Sequence, residues 1–184
     1  QESRGLGDVY KRQAPYHVAR HLLRIRDLQK ETGGFTEFVP LPFVHMEAPI
    51  YLKGKSRMGP TFREAVLIHA VARIVLNPFI QNIQTSWVKM GPEGVKACLD
   101  AGANDLGGTL MNESITRAAG TVHGQEMLPE RMEALINQTG RIPKQRDTLY
   151  RNPDPVQKSK SYGKHQLVIK EFQNSATDSE SLTA

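Results

Sequence analysis

The sequence predicts an α/β fold: successive strand–helix units with parallel strands, forming the C-terminal part of a TIM-type barrel. Three observations carry this expectation. Short apolar stretches at 36–44, 82–88 and 104–110 alternate with longer segments of helical period. The connections between them are short, as expected for parallel strands joined by helical crossovers. Three such units fall short of the roughly 250 residues of a complete eight-unit barrel. A small doubly wound sheet is the alternative architecture.

Residues 1–13 show no usable periodicity, and Asp8–Gln13 (DVYKRQ) resembles the translated end of a sequencing adaptor. They are set aside as a non-native segment, a genuine surface loop being the other reading. From Ala14 the order begins. Residues 16–32 form a helix with Val18, Leu22 and Ile25 on one face, stopped by Gly33 and Gly34. TEFVPLPFV (36–44) is a buried strand whose Pro40 and Pro42 sit awkwardly in a hydrogen-bonded ladder, suggesting an end bent to serve a site.

A loop then runs through His45, Met46 and Glu47 to Pro60. Thr61 and Glu64 form a capping box for a helix to Leu76, apolar on most sides through Val66, Ile68, Val71, Ile74 and Val75. Asn77-Pro78 ends it. The second strand lies at 82–88, and Gly91-Pro92 opens a helix that Gly102 closes. The third strand lies at 104–110. Pro129 starts a last helix with Met132, Leu135 and Ile136 inward, ending at Gly140. Residues 14–150 thus form the folded part. From Arg151 to Ala184 the composition reads as a mostly disordered tail, with 165–172 a possible brief element.

With 39% hydrophobic and 23% charged residues the chain is of globular type. No apolar run reaches the roughly 18–20 residues of a membrane span and no signal peptide opens it, so a soluble, cytoplasmic protein without a membrane partner is expected. The net charge of +5 divides into one unit from 1–13, one from the tail, and the rest spread over 14–150 without a basic stripe. A nucleic-acid partner is not expected. The sole cysteine, Cys98, cannot make an internal disulfide, a zinc knuckle or an iron–sulfur cluster; between Val95 and Leu99 it reads as a core thiol.

In parallel α/β folds ligands bind beyond the carboxyl ends of the strands. That rule selects His45 to Glu47; Gln84 to Trp87 with Lys89; and Gly107, Gly108, Thr109, Asn112, Glu113 and His123. Gln84 and Ser86 share a strand face, where polar groups are costly without partners. His45 could equally be a satisfied loop histidine, and Trp87 could simply pack. Gly107 and Gly108 weaken a strand unless the backbone approaches something closely, a phosphate or a flat nucleoside. Asp105 could face a ligand or cap a helix. There is no serine nucleophile elbow, no His-Glu metal motif and no glycine-rich dinucleotide loop.

The stretches FTEFVPLPFVHMEAPIYLKG (35–54), NIQTSWVKMG (82–91), GANDLGGTLMNES (102–114), HGQEM (123–127) and RIPKQRDTLY (141–150) closely resemble one family across about residues 14–150. It is the tyrosine-using half of deazaflavin chromophore synthase, CofH when separate and FbiC when fused. The resemblance implies the last three strands of a radical S-adenosylmethionine (SAM) barrel. It also implies SAM and a 4Fe-4S cluster as cofactors. The cluster's C-x-x-x-C-x-x-C ligands have no counterpart here, so the chain alone should be inactive and would require a missing N-terminal barrel half. The implied reaction starts with an adenosyl radical, cleaves the Cα–Cβ bond of tyrosine and joins the hydroxybenzyl fragment to 5-amino-6-ribitylaminouracil. Under that resemblance His45, Glu113 and His123 are catalytic candidates. Gln84, Ser86, Trp87 and Asn112 are substrate contacts, and Pro40, Pro42, Gly107 and Gly108 lie toward the cofactor. The alternatives are a futalosine-type radical enzyme of menaquinone synthesis and a non-catalytic α/β binding module.

Overall fold

The computed structural model describes residues 14–109, 114–123 and 126–164. Residues 1–13, the 165–172 element and the candidates Asn112 and Glu113 lie outside them. The described residues are mostly helical. Helix α1 spans Pro15–Thr32, α2 Pro49–Leu52, α3 Phe62–Leu76, α4 Trp87–Asp100, α5 Ile115–Ala118, α6 Pro129–Asn137 and α7 Pro155–Ser161. α1 packs on α3, α3 on α4, and α4 on α6, which makes a continuous helical layer.

Local chemistry explains the ends. Pro15 occupies the first turn of α1, where its missing N–H costs nothing. Gly33 closes that helix at φ 61°, its N–H donating to Gln29 O at 2.8 Å. The Thr61–Glu64 capping box forms on α3: Glu64 N donates to Thr61 Oγ1 at 3.2 Å, and Thr61 N to Glu64 Oε2 at 2.8 Å. Helix α3 is covered less fully than its apolar sequence suggests. Ala65, Ile68, His69, Ala72 and Leu76 are buried, whereas Leu67 and Ile74 face outward.

Under this layer run three extended segments, and here the expected strands are corrected. Among the described residues no strand is longer than a single bridge. Phe38 pairs with Ile83 and Gln84 with Asp105, both in parallel, so the 82–86 segment lies between the other two. Phe38 N donates to Asn82 O, Gln84 N to Phe38 O, Thr85 N to Asp105 O and Asn104 N to Ile83 O, all at 2.9 Å. The ladder stops early for visible reasons. Pro40 and Pro42 have no N–H to offer. Ile83 N donates to the side-chain Oδ1 of Asn104 at 2.8 Å rather than to a backbone carbonyl. Gly107, at φ 74°, leaves the extended region altogether. The second segment ends earlier than 88 because α4 begins at Trp87, with Ser86 O accepting from Met90 N at 3.0 Å.

Helix α4 also starts one turn before the expected Gly91-Pro92. Gly91 (φ 64°, ψ 176°) breaks it into two runs, and Pro92 begins the second. Two apolar clusters fill the space between the segments and the helices. One joins Leu22, Phe38, Ile68, Leu76, Ile80 and Ile83; the other joins Trp87, Val95, Cys98, Leu99, Leu106 and Leu135.

Residues 155–161, assigned by composition to a disordered tail, are helical. Asp154 Oδ1 accepts from Val156 N and Gln157 N at 2.9 and 3.1 Å, and Pro155 sits in the first turn. The following residues are tied to α6: Gly163 N donates to Glu130 Oε1 at 2.7 Å, and Tyr162 OH donates to Glu133.

Candidate functional site

The three chain segments that follow the extended segments converge on one cavity of about 370 Å³. The first contributes Pro42, Phe43, Val44, His45 and Met46; the second Lys89 and Met90; the third Gly120 to His123. Glu47 N donates to Ala119 O at 3.1 Å, joining the first loop to the third. Three glycines give the walls their clearance. A Cβ on Gly59 would sit 2.0 Å from Phe43 O and 3.1 Å from His45 Nδ1. One on Gly120 would sit 2.9 Å from Met46 Cβ, and one on Gly91 2.5 Å from His123 Cε1. The kink in α4 is therefore the seat of the His123 ring. The His45 ring meets Tyr51 edge to face, with centroids 4.8 Å apart.

Of the residues that sequence reasoning selects, His45, His123 and Pro42 meet in this cavity. Pro40 is fully buried and is not among the residues that line it. Gln84 and Ser86 do share a face: Ile83, Thr85 and Trp87 are buried, while Gln84 and Ser86 are only partly covered. The close approach expected at Gly107 is to Gln84, whose Nε2 lies 2.5 Å from where a Cβ would stand. Trp87 is in the core, with Nε1 donating to Gly108 O at 3.1 Å. Met46 and Lys89, which the strand-end rule also selects, line the cavity too. The seats Gly59, Gly91 and Gly120 are outside the selected set.

Asp105 pairs with Arg146 and lines a second, larger cavity. Its Oδ1 accepts from Arg146 Nη2 at 2.8 Å and from Gly107 N at 2.6 Å, and its Oδ2 accepts from Arg146 Nε. Arg146 also reaches Glu37 Oε2 at 3.5 Å and lies over the Tyr150 ring, 4.0 Å from its centroid. The Tyr150 hydroxyl donates to Glu37. Hydrogen bonding to Asp105 raises the Arg146 pKa. Burial, then the bond to Glu37, raises that of Tyr150. This cluster ties the first and third segments together on the face opposite the helices. A larger cavity of about 1060 Å³ runs beside the third segment, between Leu106, Met132, Ile136 and the 141–148 stretch.

No group of three or more His, Cys, Asp or Glu among the described residues could hold a metal ion. Cys98 is buried with Sγ 3.5 Å from His69 Nδ1, and burial raises its thiol pKa. An iron–sulfur cubane is held by several thiolates, so the residues of this chain do not fit one. No helix among the described residues is long and apolar enough to cross a membrane.

The family model for the CofH/MqnC C-terminal region matches residues 32–159. The FO synthase of Mycobacterium leprae is 52% identical over 136 residues, which cover 74% of this chain and 16% of that protein. The 5-amino-6-(D-ribitylamino)uracil–L-tyrosine 4-hydroxyphenyl transferase of Methanopyrus kandleri is 53% identical over 130 residues, covering 71% of this chain and 35% of that protein. Its counterpart in Methanocaldococcus jannaschii is 50% identical over 135 residues, covering 73% and 38%. The chain thus spans about a sixth of the FO synthase and little more than a third of the transferases. Its matched region includes every segment that builds the cavity, and the chain belongs to the CofH/MqnC C-terminal region family.

Proposed function

We propose that the chain is the carboxyl part of a radical SAM transferase that joins the hydroxybenzyl fragment of tyrosine to 5-amino-6-(D-ribitylamino)uracil. The observation that carries this reading is the convergence on one cavity of residues that follow the extended segments, two loops and the first turn of α4, in a chain about half identical to transferases of that name. In parallel α/β proteins such loops form the substrate mouth. The parallel order of the three segments fits the end of a barrel, and the cavity beside the third segment is where the rest of that barrel would continue. The cluster cysteines and most of the SAM site would belong to that remainder, in a cytoplasmic enzyme.

Within such an enzyme this chain's residues bind and orient substrate. The apolar loops exclude water, while Gln84, lying across Gly107, and Ser86 present polar groups on the uncovered face. Pro42 shapes the mouth. His45 and His123 hold polar hydrogens at its wall.

The test is the complete transferase carrying this segment, assembled anaerobically with its cluster and given SAM, tyrosine and the aminouracil. Formation of the joined product is expected. In Gln84→Ala the aminouracil affinity should fall roughly tenfold, since a lost hydrogen bond leaves its partner unpaired. Cluster content should stay intact. A cluster-loaded enzyme that yields no product from this pair would defeat the assignment; normal affinity in the variant would remove Gln84 from the site.

A further inference from the structure

We infer that the 370 Å³ cavity is the pocket for the hydroxyphenyl group of the aromatic substrate, with the His45 and His123 imidazoles setting its preference for a ring that carries a hydroxyl. This rests on the reaction proposed above and adds which part of which substrate the cavity takes.

The argument is one of matching chemistry. Most of the wall is apolar, through Pro42, Phe43, Val44, Phe62 and Met90. Among the described lining residues the titratable side chains are His45, His123 and Lys89. An aromatic ring with one polar tip satisfies such a wall: the ring lies against the apolar side chains and the hydroxyl meets an imidazole. The ribityl chain of the aminouracil fits less well, because its row of hydroxyls would lie against a mainly apolar wall whose polar groups are His45, Thr61, Lys89, Thr121 and His123.

The two imidazoles are also held in place, as a discriminating contact requires. Tyr51 and Gly59 bound the His45 ring, and the kinked Gly91 seats that of His123. Alanine at 91 would put a Cβ within 2.5–2.8 Å of three imidazole atoms and would force an L side chain into left-handed backbone. Gly91 is on this account a positioning residue for His123.

The experiment uses the complete, cluster-loaded transferase. Equilibrium affinities for tyrosine, phenylalanine and the aminouracil are measured in the wild type and in His45→Leu, His123→Leu and Gly91→Ala. Each variant is expected to bind tyrosine roughly tenfold more weakly, with phenylalanine and aminouracil affinities within about twofold, because one hydrogen bond to a buried hydroxyl is worth about that factor. Retained aminouracil binding shows that the variants fold. A wild-type measurement stands beside them: tyrosine should protect His45 and His123 from carbethoxylation, read by mass spectrometry, and the aminouracil alone should not.

An unchanged tyrosine-to-phenylalanine ratio in all three variants overturns the inference. So does protection by the aminouracil instead of tyrosine, which would give the cavity to the other substrate. If the wild type turns tyrosine over normally, either result removes the pocket assignment alone. If it makes no product from tyrosine, the reaction and the pocket fall together.

Discussion

His69 sits at the centre of the helical layer with no access to water, its Nδ1 2.7 Å from Ala65 O. Burial lowers its pKa below the ordinary 6.5, outweighing the backbone bonds that favour the cation. The unfolded chain therefore binds this proton more readily than the folded one. Its contribution to stability is full above about pH 6.5 and is lost as pH falls through the window below, with a slope of up to about 1.4 kcal/mol per pH unit. Urea unfolding between about pH 5 and 8 should show that slope in the wild type and a flatter line in His69→Gln. Equal slopes would mean that another group governs the acid limb. Legibility at this scale was uneven. Cys98 was readable as a core thiol from its apolar neighbours, and the shared face of Gln84 and Ser86 from the period of two. His69 gave no signal, since an apolar run does not tell which of its members lies deepest. The pairing of Gly91 with His123 was hidden as well, because contacts across 32 residues leave no local pattern.

Helix ends were the most legible elements, since caps are local chemistry. Thr61→Ala removes the acceptor for Glu64 N and should cost about 1 kcal/mol by urea denaturation, whereas Thr61→Ser should restore most of it. A loss below a few tenths would mean that water replaces the cap. Strands were legible only as extended, parallel and in order. Their ladders were not, because what shortens them is tertiary. Arg73 on α3 donates to Gly102 O at 2.8 Å, to Gln81 O at 2.8 Å and to Asn104 Oδ1 at 2.9 Å. It thus fixes the amide that takes a backbone carbonyl's place on Ile83. The α4 start was misplaced for a similar reason. Gly91-Pro92 is a valid helix opening, but Ser86 to Met90 already forms a turn before it. The α7 helix was hidden by a polar composition that hides its Asp154-Pro155 cap.

Across the whole molecule, the face away from the helices depends on one guanidinium. Arg146 and Asp105 are largely buried, with side-chain exposures of 24% and 10%, and Glu37 stands beside them at 34%. Arg146→Ala would leave two carboxylates facing each other without a cation. It should destabilise the protein by about 1–3 kcal/mol, with Arg146→Lys recovering part of the loss, as read by thermal unfolding. A variant that melts within a degree of the wild type would show that solvent screens the cluster. The wording of RIPKQRDTLY pointed to a family, but its physical role lay beyond local reading: Tyr150 meets Glu37 113 residues away. That separation bears on how the protein is made. On the ribosome, α1, α3 and α4 can pack once Asp100 has emerged, since their contacts with one another need nothing that follows it. The fastening between the first and third segments has to wait until Arg146 and Tyr150 have cleared the exit tunnel. Until then Glu37 and Asp105 lack their cation, and nascent chains halted before residue 146 should be cut by added protease more readily than chains halted well beyond residue 150.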